Sequence, residues 1–304
     1  MTWLKVIIKF YQFLYRVILV ITISLYLIIG LKCLLYYGNN HIDITQYIIQ
    51  SDKISDSFSG YRIVQLSDLH SKTFGSNQVN LLKKVKHLQP DIIVFTGDLV
   101  DGRTKLEGPC FELMKGLVAI APTYYIYGNH EAILLYDNEK QDFFKKLDEI
   151  GVITMNNKVI TLKSTQDDVI NLVGLPDPIA FSLPNKIFKY PIADRNKILL
   201  EQTIGTIKDK QAYTILLCHR PEYIQIYSEF PIDLALCGHT HGGQIRLPFL
   251  GGLFATGQGF FPKYDSGIFK YNQLTLLINR GLGGNSFPYR IFNNPEVSLI
   301  ILKH

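Results

Sequence analysis

Residues 61–70 read YRIVQLSDLH, in which the run YRIVQLS (61–67) leads directly into Asp68 and His70. A short run of this kind, rich in apolar and β-branched residues, predicts a buried strand. Four later runs repeat the arrangement, each followed by Asp, Asn or His: IIVFT (92–96) before GDLVD, YYIY (124–127) before GNHE, YTILLC (213–218) before HRPE, and DLALC (233–237) before GHTHGG. Open α/β sheets bind ligands at the carboxyl ends of their strands, so the five runs predict a binding site at that edge.

Helix-like segments separate these runs. Residues 78–88 and 142–150 have apolar side chains at helical spacing, and further strands are expected at 169–173, 274–278 and 297–302. Strands that alternate with helices indicate an α/β fold with largely parallel pairing in its first half. No repeat or low-complexity block interrupts residues 60–304, which we interpret as one domain.

The first 37 residues have a different character. Residues 17–31 (VILVITISLYLIIGL) contain no charge, and the apolar run resumes after Lys32 and continues to Tyr37. Lys32 does not interrupt the span, because a lysine near a helix end can extend its charged group to the membrane interface. Residues 17–37 then form one span of the ~20 residues that a bilayer requires. We therefore expect one transmembrane anchor within residues 1–37; a cleaved signal peptide and a buried core helix are the alternatives. Residues 38–59, which are rich in Ser and Asp, are expected to form a tether.

Charge is distributed unevenly along the chain. Residues 1–40 hold four of the 31 basic side chains and no acidic one, which leaves 27 basic and 26 acidic residues for the rest. A nearly neutral main domain disfavours a nuclease, so we expect no nucleic acid as a partner. Lys5, Lys9 and Arg16 precede the apolar span, which predicts a single pass through the cell membrane with a cytoplasmic N-terminus and an extracytoplasmic domain.

The side chains that follow the strands suit divalent metals. Five of the eight histidines lie in these turns, together with Asp68, Asp98 and Asn129. Carboxylate and imidazole ligands without a Cys-x-x-Cys pair fit Mn, Fe or Zn. Two such ions can hold a phosphoryl group between them and supply hydroxide at neutral pH. Four cysteines in a chain of 304 residues do not make a disulfide framework, and Cys218 and Cys237 are expected to be buried, inert thiols.

Five blocks, in this order, resemble the calcineurin-like metallophosphoesterases, in particular their membrane-associated bacterial branch. The blocks are D-x-H (68–70), G-D-x-x-D (97–101), G-N-H-E (128–131), a lone histidine at 219 and G-H-T-H (238–241). The resemblance extends from Tyr61 to the end of the chain and implies an α/β fold, a four-layer α/β/β/α sandwich, preceded here by the N-terminal helix. Residues 279–283 (NRGLG) resemble a Ser-Arg-Gly-Leu-Gly segment of this branch, with Asn279 in the place of Ser.

The resemblance also implies roles for the polar residues. One metal ion would be held by Asp68, His70 and His241, the other by Asn129, His219 and His239, and Asp98 would bridge both. His130 would face the phosphate as general acid or transition-state stabiliser, and Glu131 would orient it. Asp101 lies beyond its turn and is expected to be a structural carboxylate, paired with Arg103.

The implied activity is metal-dependent hydrolysis of a phosphoester or pyrophosphate, by attack of hydroxide at phosphorus. Residues 244–262 contain four phenylalanines close in sequence to His239 and His241. An apolar loop on a membrane-anchored enzyme favours a lipid-linked or nucleotide-linked substrate that resembles UDP-2,3-diacylglucosamine. The alternatives are a broad phosphomonoesterase or protein phosphatase and, in another class, a non-catalytic metal-binding interaction module.

Overall fold

A computed structural model of the chain describes residues 2–103, 107–135, 142–179, 191–284 and 287–304. Within these ranges the helices are α1 (Thr2–Asn40), α2 (Val79–His87), α3 (Gly108–Val118), α4 (Glu131–Leu135), α5 (Asp142–Ile150), α6 (Ile192–Ile204) and α7 (Ile224–Tyr227). The strands are β1 (Asp43–Gln50), β2 (Arg62–Leu66), β3 (Ile92–Thr96), β4 (Thr123–Ile126), β5 (Ile153–Thr154), β6 (Lys158–Lys163), β7 (Val169–Gly174), β8 (Tyr213–Leu217), β9 (Leu234–Cys237), β10 (Arg246–Leu247), β11 (Gly251–Gly252), β12 (Phe254–Ala255), β13 (Gly259–Phe260), β14 (Gly267–Tyr271), β15 (Leu274–Ile278) and β16 (Glu296–Lys303).

Most strands belong to two six-stranded sheets. The first sheet has the order β1-β16-β2-β3-β4-β5 and the second has the order β14-β15-β9-β8-β7-β6. Strands β2 to β5 pair in parallel, and so do β7, β8 and β9. The expected strands and the two expected helices are all present, so the alternation of apolar runs with helical spacing predicted the framework correctly.

The two sheets pack face to face. Alternate residues of the central strands, such as Ile63, Val94, Leu172 and Leu236, point into a shared apolar core between the sheets. Their neighbours on the same strands point outward, because side chains alternate along a strand, and are buried under helices. Strands covered on both faces need apolar residues at nearly every position, which explains the continuous runs in the sequence.

Helices cover the outer face of each sheet. Leu81 of α2, Leu117 of α3 and Phe143 of α5 pack on the first sheet. Leu200 of α6 and Tyr227 of α7 pack on the second. The order of layers is thus helix, sheet, sheet, helix, which confirms the predicted four-layer sandwich.

The segment expected to be a tether takes part in the first sheet. Strand β1 pairs in parallel with β16 along its whole length, from Asp43 beside Glu296 to Gln50 beside Lys303. It lies at the sheet edge, and of its eight residues Ile49 alone is buried. Polar residues interrupt the apolar ones on both faces of β1, as at Thr45 and Gln46, so the sequence shows no continuous apolar run here. The expectation of a tether over residues 38–59 is wrong for this part.

Helix α1 contains the apolar N-terminal segment and extends three residues beyond its expected end, to Asn40. Its side chains are largely exposed, and among the residues described it is the one helix long and apolar enough to cross a membrane. The last turn of α1 is fixed to the domain: the Asn39 Nδ2 donates to Pro288 O over 2.9 Å, and Arg290 N donates to Asn39 Oδ1 over 2.7 Å.

Candidate metal centre

The five strand ends identified in the sequence meet at one edge of the sandwich. Strands β2, β3 and β4 bring their ends together because they are parallel neighbours, and β8 and β9 do the same in the second sheet. Hydrogen bonds join the two sheets here: Gln65 Nε2 donates to Cys237 O over 2.9 Å, and His239 N donates to Asp68 Oδ2 over 3.0 Å. Residues separated by about half of the chain therefore form a single site.

Three of the predicted ligands form a first cluster. His70 Nε2 lies 3.1 Å from His241 Nε2 and 3.9 Å from Asp68 Oδ1, and His241 Nε2 lies 3.5 Å from the same oxygen. All three side chains are nearly excluded from solvent. Three donor atoms that converge at such distances could hold one metal ion.

The remaining predicted ligands form a second cluster next to the first. His219 Nε2 lies 3.2 Å from Asn129 Oδ1, 3.2 Å from His239 Nδ1 and 3.3 Å from Asp98 Oδ2. The same Asp98 oxygen lies 3.6 Å from His70 Nε2 of the first cluster. Asp98 is therefore placed between the two clusters, where a bridging carboxylate would have to stand.

Burial and neighbouring charges set the protonation of the carboxylates. Burial alone would raise the pKa of Asp68, but His241 and His70 hold it below its ordinary value. Burial would also raise the pKa of Asp98, which His219 and His70 hold well below its ordinary value. Both carboxylates are thus ionised at neutral pH and give the site the negative charge that a divalent cation requires.

The histidines divide into two kinds. Burial lowers the pKa of His241 to about 3, with His70 acting in the same direction, and burial together with Arg220 lowers the pKa of His239 well below its ordinary value. These rings are neutral and can offer a lone pair. Burial opposes the charged form of His219, yet Asp98 raises the pKa of that ring to about 10. A cation bound there would displace the proton, since metal ligands must be deprotonated.

Contacts behind the ligands fix their orientation. The Nδ1 of His219 lies 2.7 Å from Thr96 O and donates to it, so its Nε2 faces the cluster. The Nη1 of Arg220 lies 3.2 Å from His239 Nε2, and the same guanidinium donates from Nε to Asp177 Oδ2 over 2.5 Å. Arg290 is almost completely buried and places Nη2 3.4 Å from His241 Nδ1.

The backbone at this edge adopts conformations that are uncommon for residues with side chains. Five of the predicted ligands have φ between 48° and 70°: Asp68, His70, Asp98, His239 and His241. Such conformations cost of order 1–3 kcal/mol each and persist where surrounding structure enforces them. Gly238 shows how tight the packing is, because a Cβ there would lie 1.9 Å from Ser67 Oγ.

Glu131 supports the loop that carries Asp98. Its Oε2 accepts hydrogen bonds from Asp98 N over 3.0 Å and from Gly128 N over 2.7 Å, and its Oε1 accepts one from Leu99 N over 2.8 Å. Burial, reinforced by Asp98, raises the pKa of Glu131 to about 7. The carboxylate therefore positions the strand turns instead of orienting His130 as the sequence suggested.

His130 lies at the mouth of the site, beside both clusters. Its backbone N donates to Asp98 Oδ1 over 2.8 Å, and its Nδ1 lies 3.4 Å from Asp101 Oδ1. Asp101 also pairs with Arg103, as predicted, and so connects Arg103 to His130. The site opens into a cavity of about 280 Å³ whose lining includes His70, Asp98, Arg103, Asn129, His130, Ile133, His239, His241 and Thr256.

Residues 61–243, more than half of the chain, match the calcineurin-like phosphoesterase family. The chain belongs to this family. It is a hydrolase that acts on phosphoester bonds, in a family that uses divalent metals.

Three relatives illustrate the range of this family of phosphoesterases. An uncharacterised metallophosphoesterase of Bacillus subtilis, YkuE, is 29% identical over 88% of both chains. The phosphodiesterase YaeI of Escherichia coli is 27% identical over 81% of this chain and 84% of its own. A transmembrane protein with a metallophosphoesterase domain from Danio rerio is 28% identical over 84% of this chain, which spans 56% of that protein.

Asp177 and Arg220 also lie at the phosphoesterase site, although the sequence did not predict a role for either residue. Asp177 lies three residues beyond the end of β7, whereas Asp68 directly follows its apolar run, so the position of Asp177 in the sequence carried a weaker signal than that of the predicted ligands. Arg220 stands beside a predicted ligand, but its contact with Asp177 spans 43 positions and cannot be inferred from spacing. Cys218 and Cys237 are fully buried, as expected.

Proposed function

We propose that the protein hydrolyses phosphodiester or pyrophosphate bonds by attack of hydroxide at phosphorus, with two divalent metal ions in the site. The observation that carries the proposal is the pair of adjoining ligand clusters, which share Asp98. The Oδ2 atom of Asp98 lies 3.3 Å from His219 Nε2 in one cluster and 3.6 Å from His70 Nε2 in the other. A non-catalytic module would have no need of a solvent cavity that opens on both clusters.

The donor atoms suit Mn, Fe or Zn, because they are carboxylate oxygens, imidazole nitrogens and one amide oxygen. Bound ions would polarise the phosphoryl group and lower the pKa of water. The first ion would be held by Asp68, His70 and His241, the second by Asn129, His219 and His239, and both by Asp98.

Other side chains at the cavity would act on the substrate directly. Burial and His70 lower the pKa of His130, whose ring stands over the site with its centroid 4.5 Å from that of His70. We assign His130 to stabilise the transition state or to protonate the leaving group, with Asp101 holding its Nδ1. Arg103, at the cavity wall, would pair with phosphoryl oxygens.

We propose a lipid-linked or nucleotide-linked substrate that resembles UDP-2,3-diacylglucosamine. A second cavity of about 300 Å³, lined mainly by Ile245, Leu253, Phe254 and Phe287, shares Thr256 with the metal cavity and suits an acyl chain. The Escherichia coli relative is named a phosphodiesterase, which supports a diester over a monoester.

We further propose that α1 anchors the enzyme in the cell membrane as a single pass. The basic residues Lys5, Lys9 and Arg16 before the span favour a cytoplasmic N-terminus and an extracytoplasmic catalytic domain, which starts at β1. A relative that is named a transmembrane protein supports membrane association.

The test uses the full chain in detergent, stripped of metal and reloaded with Mn. An aryl monoester, an aryl diester and UDP-2,3-diacylglucosamine are hydrolysed side by side, and bound metal is counted. We expect two ions per chain and the highest kcat/KM for the lipid nucleotide.

His130→Asn should retain both ions while turnover falls roughly 10²–10⁴-fold. Two bound ions without hydrolysis of any ester would overturn the proposal, and preference for the monoester would favour a phosphomonoesterase.

A further inference from the structure

The strand directions bring the end of α1 to the same edge of the sandwich as the metal centre. Strand β16 is antiparallel to β2, and β1 is parallel to β16, so β1 starts where β2 ends. Asp43, the first residue of β1, pairs with Glu296, while Ser298 pairs with Gln65. The chain therefore leaves α1 beside the turn that carries Asp68.

Very little chain separates the apolar span from the domain. Gly38 packs so closely on the domain that a Cβ there would lie 2.3 Å from Arg290 O, and Asn39 hydrogen-bonds to residues 288 and 290. Leu34, Tyr37 and Phe292 line a common cleft between helix and domain. If the span ends near Tyr37, the domain adjoins the bilayer surface with its metal-bearing edge.

That edge exposes large apolar side chains. We use the name apolar rim for this set: Phe249, Leu250, Phe254, Phe260, Phe261, Phe287, Tyr289 and Phe292. Phe249 is fully exposed, and Phe260 is 71% exposed. Soluble proteins seldom expose so many large apolar residues together unless the surface binds something.

Backbone geometry and charge distinguish the apolar rim from ordinary loop surface. Phe249, Phe261 and Phe292 have φ between 52° and 66°, a region that bulky residues rarely adopt. No Asp or Glu occurs in residues 247–264 or 266–295. The absence of carboxylates suits contact with a lipid surface, because no ionised acid has to be removed from water there.

The apolar rim is continuous with both the metal cavity and the helix. Phe254 and Phe287 line the apolar cavity that shares Thr256 with the metal cavity. Gln244 Nε2 donates to Phe287 O and to Tyr289 O over 2.8 and 3.1 Å, and thereby ties this segment to the ligand turn. Phe292 completes the connection to α1.

We propose that the apolar rim rests on the lipid surface of the leaflet from which α1 emerges, so that the metal cavity opens onto the headgroups. The occupant is the bilayer and not a second copy of the chain, because the rim is continuous with the membrane span. Aromatic side chains are the residues that membrane interfaces favour. The inference rests on the proposed anchoring by α1 and is independent of the hydrolytic activity.

Depth-dependent fluorescence quenching tests the contact. The full chain is reconstituted in phosphatidylcholine vesicles with anionic phosphatidylglycerol, and its single tryptophan, Trp3, is replaced by Phe. Phe260→Trp then reports on the rim, and Thr165→Trp is the matched control, since it lies in the exposed turn between β6 and β7 at the opposite edge. We expect lipid brominated near the glycerol to quench most of the emission of Phe260→Trp and little of that of Thr165→Trp.

Equal quenching of the two reporters would overturn the proposal. So would a Phe260→Trp emission that is blue-shifted but unquenched, which would indicate a protein partner or a second copy. A second measurement uses Phe249→Ser combined with Phe260→Ser: kcat/KM for a phosphodiester in vesicles should fall roughly tenfold, while that for a soluble aryl diester should not change. Equal losses on both substrates would contradict the docking, whereas inactivity of the unmodified enzyme would count against the proposed hydrolysis alone.

Discussion

The carboxyl edge of the sandwich and the core between its sheets are built in opposite ways. The core is assembled from aliphatic side chains of regular strands, such as Ile63, Leu172 and Leu236, each fully buried. The edge buries Asp68, Asp98, Glu131 and several histidines, on backbone that is often left-handed. The core lowers the free energy of folding by removing apolar surface from water, whereas the edge opposes folding by desolvating ionisable groups.

The stability and the chemistry of the enzyme therefore reside in different parts of the structure. The edge can hold a strained, charged arrangement because the core behind it supplies the stability. Changes at the edge should therefore alter metal binding and turnover, and changes in the core should alter the free energy of unfolding.

The largest effect is expected for Asp98→Asn. In the unmodified protein, Asp98 Oδ1 accepts a hydrogen bond of 2.8 Å from His130 N, and the amide of Asn can still accept it. The substitution nevertheless removes the negative charge that both clusters share. Loss of both ions should remove most of a rate enhancement that is roughly 10⁶-fold or more in enzymes. The measurements are kcat/KM and metal content by elemental analysis. An Asp98→Asn protein that retained two ions and full rate would show that the bridging assignment is wrong.

A change in the core should have the converse result. Leu172→Ala removes a fully buried side chain from the interface between the sheets, away from the strand ends. The free energy of unfolding should fall by about 2–5 kcal/mol, as for other large-to-small changes in well-packed cores. Metal should still raise the midpoint of thermal unfolding, because ligands that bind the folded state stabilise it. If Leu172→Ala lost that metal-dependent rise, the two regions would be coupled.

Glu131→Gln should give a smaller loss, because Glu131 supports the site without entering it. The amide group keeps only one acceptor oxygen. If that oxygen replaces Oε1, the N–H groups of Asp98 and Gly128 lose their acceptor; if it replaces Oε2, the N–H group of Leu99 loses its acceptor. We expect a loss of roughly 10–100-fold in metal affinity or turnover, as for other residues that orient ligands. Glu229→Gln is the control, since that carboxylate is exposed and pairs with Lys197. Equal activities of the two variants would show that Glu131 does not position the metal site.

The same contrast explains what the sequence could predict. Central strands were recognisable because burial on both faces demands continuous apolar runs, as in YTILLC at 213–218. The candidate ligands were recognisable because each follows such a run directly. Edge strands β1 and β14 mix polar and apolar residues, as at Gln46 and Lys270, and lack that signal, which is why the sequence predicts a tether where β1 lies.

Supporting residues were harder to predict than the candidate ligands. The roles of Glu131, Asp177 and Arg290 depend on neighbours that only the folded chain brings into contact. Arg290 approaches His241 across 49 positions, and neither residue's local sequence indicates the other. Spacing reveals side chains that share a turn, but not pairs that the packing of two sheets creates.

The smallest effect is expected for Asn279→Ser, which restores the residue of the related bacterial segment. Asn279 is buried; its Oδ1 accepts from Gly281 N over 2.7 Å, and its Nδ2 donates to Ser298 Oγ over 2.7 Å. A serine hydroxyl can still accept from the backbone two residues on. The bond to Ser298 is lost, together with the longer contacts of Nδ2 with Gln65 O and Glu296 O, both 3.5 Å. The short bond to Ser298 is worth about 0.5–1.5 kcal/mol in the free energy of unfolding. Turnover should stay unchanged, because Asn279 touches no candidate ligand side chain in these contacts. A variant with full stability but a tenfold lower kcat would contradict this expectation. Residue 279 would then influence the chemistry through the turn at Gly281, which packs on Asp68. The residues after β15 would in that case belong to the functional edge and not to the core.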